Sequence, residues 1–263
     1  PAHPARPPPH NTPEAGPTAP PQPPPHATPL SGNPGTSVAT RGKAMLTRFD
    51  NGLTIYSHNQ LYGRWYTVRR PRMPRTNRQL RIELCTETHE ALLYSASDID
   101  VLDDDELLTH PFLSRVGPDI LDRALTQQQI VQRLRDPAFR NRALGSLYLD
   151  QRFLAGNGNY LRSEILWAAG IDPGRKAAGL AADELETLAK ETLKIARRSY
   201  RTRGVTVSPA LAKRLKADGL TYQRYRFYAF GREGLPCHRC ETPIECRTMG
   251  SRNLFTCPSC QPR

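Results

Sequence analysis

The chain has 263 residues, a formal charge of +12, 38% apolar residues and 25 prolines. That length accommodates one large or two small domains with a tail, and no apolar run approaches the ~18 residues a membrane-spanning helix needs. No basic–apolar secretory signal opens the sequence, so an intracellular, cytoplasmic protein with no membrane partner is expected.

Residues 1–39 hold 14 of the 25 prolines, one arginine and one glutamate. Such a stretch buries too little apolar surface to offset its ordering entropy, and it is expected to be disordered. The texture changes at Thr40. Residues 44–49 and 53–58 alternate around Asp50-Asn51-Gly52, a hairpin signal. Residues 61–68, 80–85 and 91–96 read as further strands, which gives a β-rich unit to about residue 102.

Helical periodicity follows. Residues 103–110 form a short segment and 126–135 begin at a Thr126 cap. Residues 144–155 and 160–169 flank Gly156-Asn157-Gly158-Asn159. In 183–198, Leu185, Leu188, Ala189, Thr192, Leu193 and Ala196 line one helix face. Residues 205–222 fit no single period. The glycine turn leaves backbone amides at the start of the next helix free to face a phosphate, with Asn159 adding a side-chain donor. The same turn alone is equally an ordinary helical hairpin.

Two Cys-x-x-Cys pairs, Cys237/Cys240 and Cys257/Cys260, close the chain with sixteen residues between them. This is the spacing of a four-thiolate zinc site on a β-hairpin, whereas disulfides would require an oxidising compartment. Cys85 and Cys246 are left over and are expected to be buried small residues. The hairpin's loop, Met249-Gly250-Ser251-Arg252, is basic. Residues 197–263 carry 14 Lys/Arg against 4 Asp/Glu, whereas residues 40–196 carry 22 against 20. A positive charge concentrated at one end points to a polyanion, nucleic acid first.

Four stretches and the cysteine tail stand in one order: Thr40-Arg41-Gly42-Lys43-Ala44-Met45-Leu46; 56–63 (Tyr-Ser-His-Asn-Gln-Leu-Tyr-Gly); 110–119, from His110-Pro111-Phe112 to Gly117-Pro118-Asp119; and 149–166, centred on Gly156-Asn157-Gly158-Asn159-Tyr160. In this order they resemble the formamidopyrimidine-DNA glycosylase/endonuclease VIII family from about residue 38 to Cys260. The resemblance implies an α+β architecture: an N-terminal β-sandwich, incomplete here (40–118), a helix–two-turn–helix domain (119–222) and a zinc-finger β-hairpin (223–263). It also implies a monomeric, bifunctional DNA glycosylase/AP lyase of base excision repair with one structural Zn2+. Its partner would be damaged double-stranded DNA containing an oxidised pyrimidine, with the target base flipped out of the stack.

By the same resemblance Lys43 touches phosphate and donates the proton for β-elimination. Gln60, Leu61 and Tyr62 fill the gap left by the everted nucleotide. Arg115 and Asn159 contact DNA, and Arg252 holds the phosphate beside the lesion and assists δ-elimination. The family's nucleophile is an amino-terminal proline followed by glutamate. Here Pro1 is followed by Ala2, and Pro13-Glu14 echoes the pair only loosely. Pro1 is the candidate Schiff-base former, and residues 1–39 are expected to be foreign to the family fold. The alternative expectation is a zinc-dependent damaged-DNA-binding protein without glycosylase chemistry.

Overall fold

A computed structural model describes residues 30–263. Pro1 and Glu14 lie outside the described residues. Seven strands come first: β1 (Gly35–Arg41), β2 (Ala44–Phe49), β3 (Thr54–His58), β4 (Arg64–Arg69), β5 (Leu80–Cys85), β6 (His89–Tyr94) and β7 (Asp98–Leu102). They form two antiparallel sheets, ordered β1-β2-β3-β7 and β4-β6-β5, which make the β-sandwich. Ala44, Phe49, Ile55 and Tyr56 are buried in the first sheet, and Leu92, Leu93 and Tyr94 in the second.

Three expectations change here. The segment expected to be disordered through residue 39 contains most of β1. Thr36, Val38 and Thr40 are β-branched, and six register pairs tie the strand to β2. It is exposed along its whole length all the same, Val38 by 67%. The strand expected over 61–68 begins only at Arg64, because the Gly63 N–H closes a turn on the Asn59 carbonyl at 2.7 Å and Gln60 adopts φ 48°. Strand β7 was not expected. Its Asp98 and Asp100 break the apolar pattern but are held by Tyr56 (3.5 Å) and His110 (3.3 Å).

The helices are α1 (Asp104–Thr109), α2 (Gln127–Arg135), α3 (Leu144–Leu147), α4 (Asn159–Ala169), α5 (Ala182–Arg201), α6 (Pro209–Ala217) and α7 (Tyr222–Tyr225). Asp103 with Glu106 and Thr126 with Gln129 form capping boxes on α1 and α2. Gly170, at φ 71°, ends α4. The ambiguous 205–222 stretch contains α6, started by a Ser208 cap and Pro209.

The helix expected over 144–155 stops after one turn. The Asp150 carboxylate takes the Arg152 N–H (2.9 Å), while the Gln151 side chain bonds the Leu149 and Asn157 carbonyls and the Gly156 N–H, each at 3.0 Å. Those side-chain bonds replace helical ones with successive turns. The main core joins α2, α4 and α5 through residues such as Ile130, Leu134, Ile165 and Leu188. Last comes the hairpin β8 (Glu245–Met249) and β9 (Arg252–Thr256), which shares a second cluster with Trp167 of α4 through Ile244 and Phe255.

Candidate nucleic-acid interface

The zinc site is built from two cysteine knuckles that precede β8 and follow β9. Sγ–Sγ separations are 3.9 Å for Cys237–Cys260 and 3.4 Å for both Cys240–Cys257 and Cys240–Cys260. All four sulfurs lie within 4.8 Å of one another. A tetrahedral ion with Zn–S bonds of about 2.3 Å needs sulfurs about 3.8 Å apart, and a disulfide needs about 2.05 Å. The cage therefore fits one structural Zn2+. The Arg239 and Cys260 N–H groups and the Trp167 indole donate to the Cys237 and Cys257 sulfurs at 3.3–3.4 Å, which orients them and offsets thiolate charge. Of the other thiols, Cys246 is half-buried, but Cys85 is exposed because it sits on the outer face of β5.

Lys43 is the second residue of the tight Gly42-Lys43 turn between β1 and β2. Gly42, at φ 61°, donates its N–H to Asp119 Oδ2 at 3.0 Å, and a side chain there would come within 3.2 Å of Ala155 Cβ and the Gly156 nitrogen. Only glycine lets the turn approach the helical half this closely. The approach carries the Lys43 ammonium over the start of α4, so that a Cβ added to Gly158, the N-cap, would lie 3.1 Å from Nζ. Burial, followed by the nearby Arg252 charge, pushes the Lys43 pKa down. Neither Lys43 nor the Arg252 side chain forms a hydrogen bond or ion pair with a carboxylate among the described residues.

Asn159 is the first residue of α4. Its Nδ2 donates to the Asn253 carbonyl at 2.9 Å and its Oδ1 accepts from Arg162 at 2.6 Å. One Nδ2 hydrogen is thus spent on the hairpin, which leaves the other for an external acceptor. Gly158 caps α4 with no side-chain bond, so the helix start also keeps open amides. The structure therefore brings Lys43, Asn159 and Arg252 together from three distant parts of the sequence.

Gln60, Leu61, Tyr62 and Arg115 are not linked to that cluster by hydrogen bonds. Leu61 and Tyr62 are 76% and 71% exposed on the hydrogen-bonded Asn59–Gly63 turn. Arg115 is exposed and bonds the Pro111 carbonyl at 2.8 Å. Two residues with a role in the site's frame were not singled out from the sequence: Arg162 and Glu164, both fully buried on α4. The available signal was an Arg-Ser-Glu step inside an otherwise apolar helix.

Comparison with known proteins follows the same division. The family profile described as the formamidopyrimidine-DNA glycosylase H2TH domain matches residues 116–210, and that of the zinc finger found in FPG and IleRS matches 234–263. Endonuclease 8 of Escherichia coli is 50% identical over 232 residues, covering 88% of this chain and 85% of its own. The Klebsiella pneumoniae protein of the same name gives the same figures. Among solved structures, the MutM (FPG) protein of Thermus thermophilus aligns with TM-score 0.71 and 27% identity, covering 90% of this chain and 86% of that one. Lactococcus lactis Fpg bound to abasic-site DNA aligns with TM-score 0.72 and 20% identity, covering 89% and 84%.

Proposed function

The chain belongs to the formamidopyrimidine-DNA glycosylase/endonuclease VIII family, and we propose that it excises oxidised pyrimidines from double-stranded DNA and cleaves the abasic strand by successive β- and δ-elimination. The observation that carries this reading is the meeting of Lys43, the open start of α4 and Arg252. Together they make a cationic, partly desolvated site that, among the described residues, no carboxylate pairs with. A DNA phosphate is the matching ligand.

In this reading duplex DNA lies between the sandwich and the helical half. Leu61 and Tyr62 enter the stack as a wedge, with Gln60 bonding the orphaned base. Their exposure on a hydrogen-bonded turn suits that task. Attack of an amino-terminal secondary amine on C1′ breaks the glycosidic bond, the base leaving with a proton, and cleavage of the C1′–O4′ bond with protonation of O4′ then leaves an open-chain iminium ion at C1′. Loss of a C2′ proton then releases the 3′ phosphate, and a second elimination releases the 5′ phosphate. Pro1 is the proposed amine. Lys43, its pKa lowered by burial, transfers protons readily in the β step, while Arg252 and Arg115 hold phosphates. The zinc ion fixes the hairpin that presents Arg252. We assign the sandwich to 40–118, with β1 extending it back to Gly35, the helical domain to 119–222 and the finger to 223–263, acting as a monomer in the cytoplasm. Among the described residues no helix is long and apolar enough to cross a membrane.

Borohydride trapping on a duplex containing an oxidised pyrimidine tests the activity. A covalent protein–DNA adduct is expected, and tight binding without an adduct would reduce the protein to a damage-binding module. Arg252→Ala should weaken damaged-DNA binding and δ-elimination by about tenfold with zinc content unchanged, the cost of one well-placed phosphate contact. Zinc loss in that variant would refute the separation of roles.

A further inference from the structure

Arg162 is fully buried, yet none of its hydrogen bonds goes to a carboxylate. Nη1 donates to the carbonyls of Gly145 (3.0 Å) and Met249 (3.1 Å). Nη2 donates to Asn159 Oδ1 (2.6 Å) and to the carbonyls of Asn253 (3.2 Å) and Arg252 (3.5 Å). Burial, and then the charge of Arg252, pushes its pKa down to about 10, so it remains a cation at neutral pH. A buried charge compensated only by neutral dipoles is costly, and an apolar residue of similar volume would pack there at lower cost. Its five acceptors nonetheless lie on α3, on the first turn of α4, and on both strands flanking the Gly250-Ser251 turn. Two of the residues it holds, Asn159 and Arg252, are proposed phosphate ligands.

We propose that Arg162 is the positioning residue of the phosphate site. It locks Asn159 and the Arg252 strand into one rigid unit opposite Lys43, and its unneutralised charge is completed by the DNA phosphate that the unit grips. The proposal rests on the DNA-repair reading above but acts through Arg252 and Asn159 rather than by touching the reacting sugar. Only a planar guanidinium spans all five acceptors, and an ammonium keeps the charge but not the bridge.

The test is a double-variant cycle on the full zinc-loaded chain. Arg162→Lys, Arg252→Ala and the combination are measured for zinc content, melting temperature and affinity for a duplex carrying a tetrahydrofuran abasic analogue. Arg162→Lys should keep its zinc and lose about tenfold in affinity. The double variant should bind within about threefold of Arg252→Ala alone, because contacting residues that act as one unit are not additive. Additive losses, wild-type affinity in Arg162→Lys, or zinc loss in that variant would each overturn the proposal, the last by making Arg162 a folding residue. Arg162→Gln adds the charge readout: its salt dependence of binding should be shallower than that of Arg162→Lys, and an equal slope also overturns the claim. Borohydride trapping of the wild-type chain is scored separately. Absence of an adduct with binding intact refutes the enzyme and leaves the Arg162 result standing, whereas absence of abasic-DNA binding refutes both.

Discussion

The helical–zinc half and the sandwich each bring one jaw to the proposed phosphate site, but they hold it by different physics. In the helical half, orientation comes from buried polar side chains. Glu164 accepts the backbone N–H groups of Tyr228 (2.8 Å), Ala229 (2.8 Å) and Phe230 (2.9 Å) as well as the Thr206 hydroxyl. Buried Gln261 takes the Cys257 N–H and donates to the Ile171 carbonyl, both at 2.9 Å. Among the described residues the sandwich shows no such frame around Lys43. Its lysine turn follows an exposed strand and leans on the helical half through the Gly42–Asp119 bond and a close glycine contact. A small metal hairpin with few apolar residues cannot fix its own angle by packing alone, so directional hydrogen bonds set it. The lysine turn needs only to be near, and glycine provides nearness.

The two tryptophans allow that contrast to be broken experimentally, since Trp65 lies in β4 and Trp167 in α4 beside the zinc cage. The largest effect is expected from Cys257→Ser. Structural zinc contributes on the order of 10 kcal/mol to folding in isolated fingers, so metal and DNA binding should vanish together and the Trp167 emission should change while Trp65 keeps its native signal. Normal DNA binding by a zinc-free variant would end the role of the finger as a clamp. Next is Glu164→Ala, which strands three buried N–H groups and should cost roughly 3–5 kcal/mol in urea unfolding, since each buried donor left unpaired costs about 1–3 kcal/mol. If the loss is under ~1 kcal/mol, the polar frame is not what holds this half together. Gly42→Ala should cost about 1–2 kcal/mol through its left-handed backbone and the contact with Ala155. Its signature is a drop in strand cleavage that exceeds the drop in DNA affinity, because the lysine jaw moves while the arginine jaw stays.

The same contrast decides what could be seen from the sequence. The cysteine spacing announced a tetrahedral cage because the ligand chemistry is local: two residues between sulfurs make a knuckle wherever they occur. Lys43, Asn159 and Arg252 came from resemblance, and their convergence depends on a tertiary approach that no period encodes. The need for glycine at position 42 follows only from Ala155 across the domains. Residues 144–155 carry a helical apolar pattern, and Asp150 and Gln151 overrule it with side-chain bonds that propensity does not register. Proline-rich composition upstream masks strand β1, although β-branched residues alternate along it at Thr36, Val38 and Thr40. Arg162 and Glu164 were hidden for a related reason: a charge on a helix is normally a solvated face, and only the docked hairpin and the 228–230 segment turn these two inward.

Acid should separate the halves with the smallest but cleanest effect. The Asp150 carboxylate is mostly buried, which would raise its pKa, but hydrogen bonds from Arg152 and Arg142 and the Arg152 N–H outweigh burial and hold it well below the usual carboxylate range. A carboxyl whose folded pKa is depressed contributes stability that is complete above its unfolded value, near 4, and is lost as pH falls through the folded one. Between about pH 5 and pH 2 the helical half should therefore lose stability through Asp150, and Asp150→Asn should flatten that acid limb when unfolding is followed at Trp167. The 149–156 turns should loosen with it, since Asp150 is what replaced helix by turns there. If the acid limb at Trp167 is unchanged in Asp150→Asn, the arginine pair around Asp150 is a surface decoration, and the turn before α4 owes its shape to Gln151 alone.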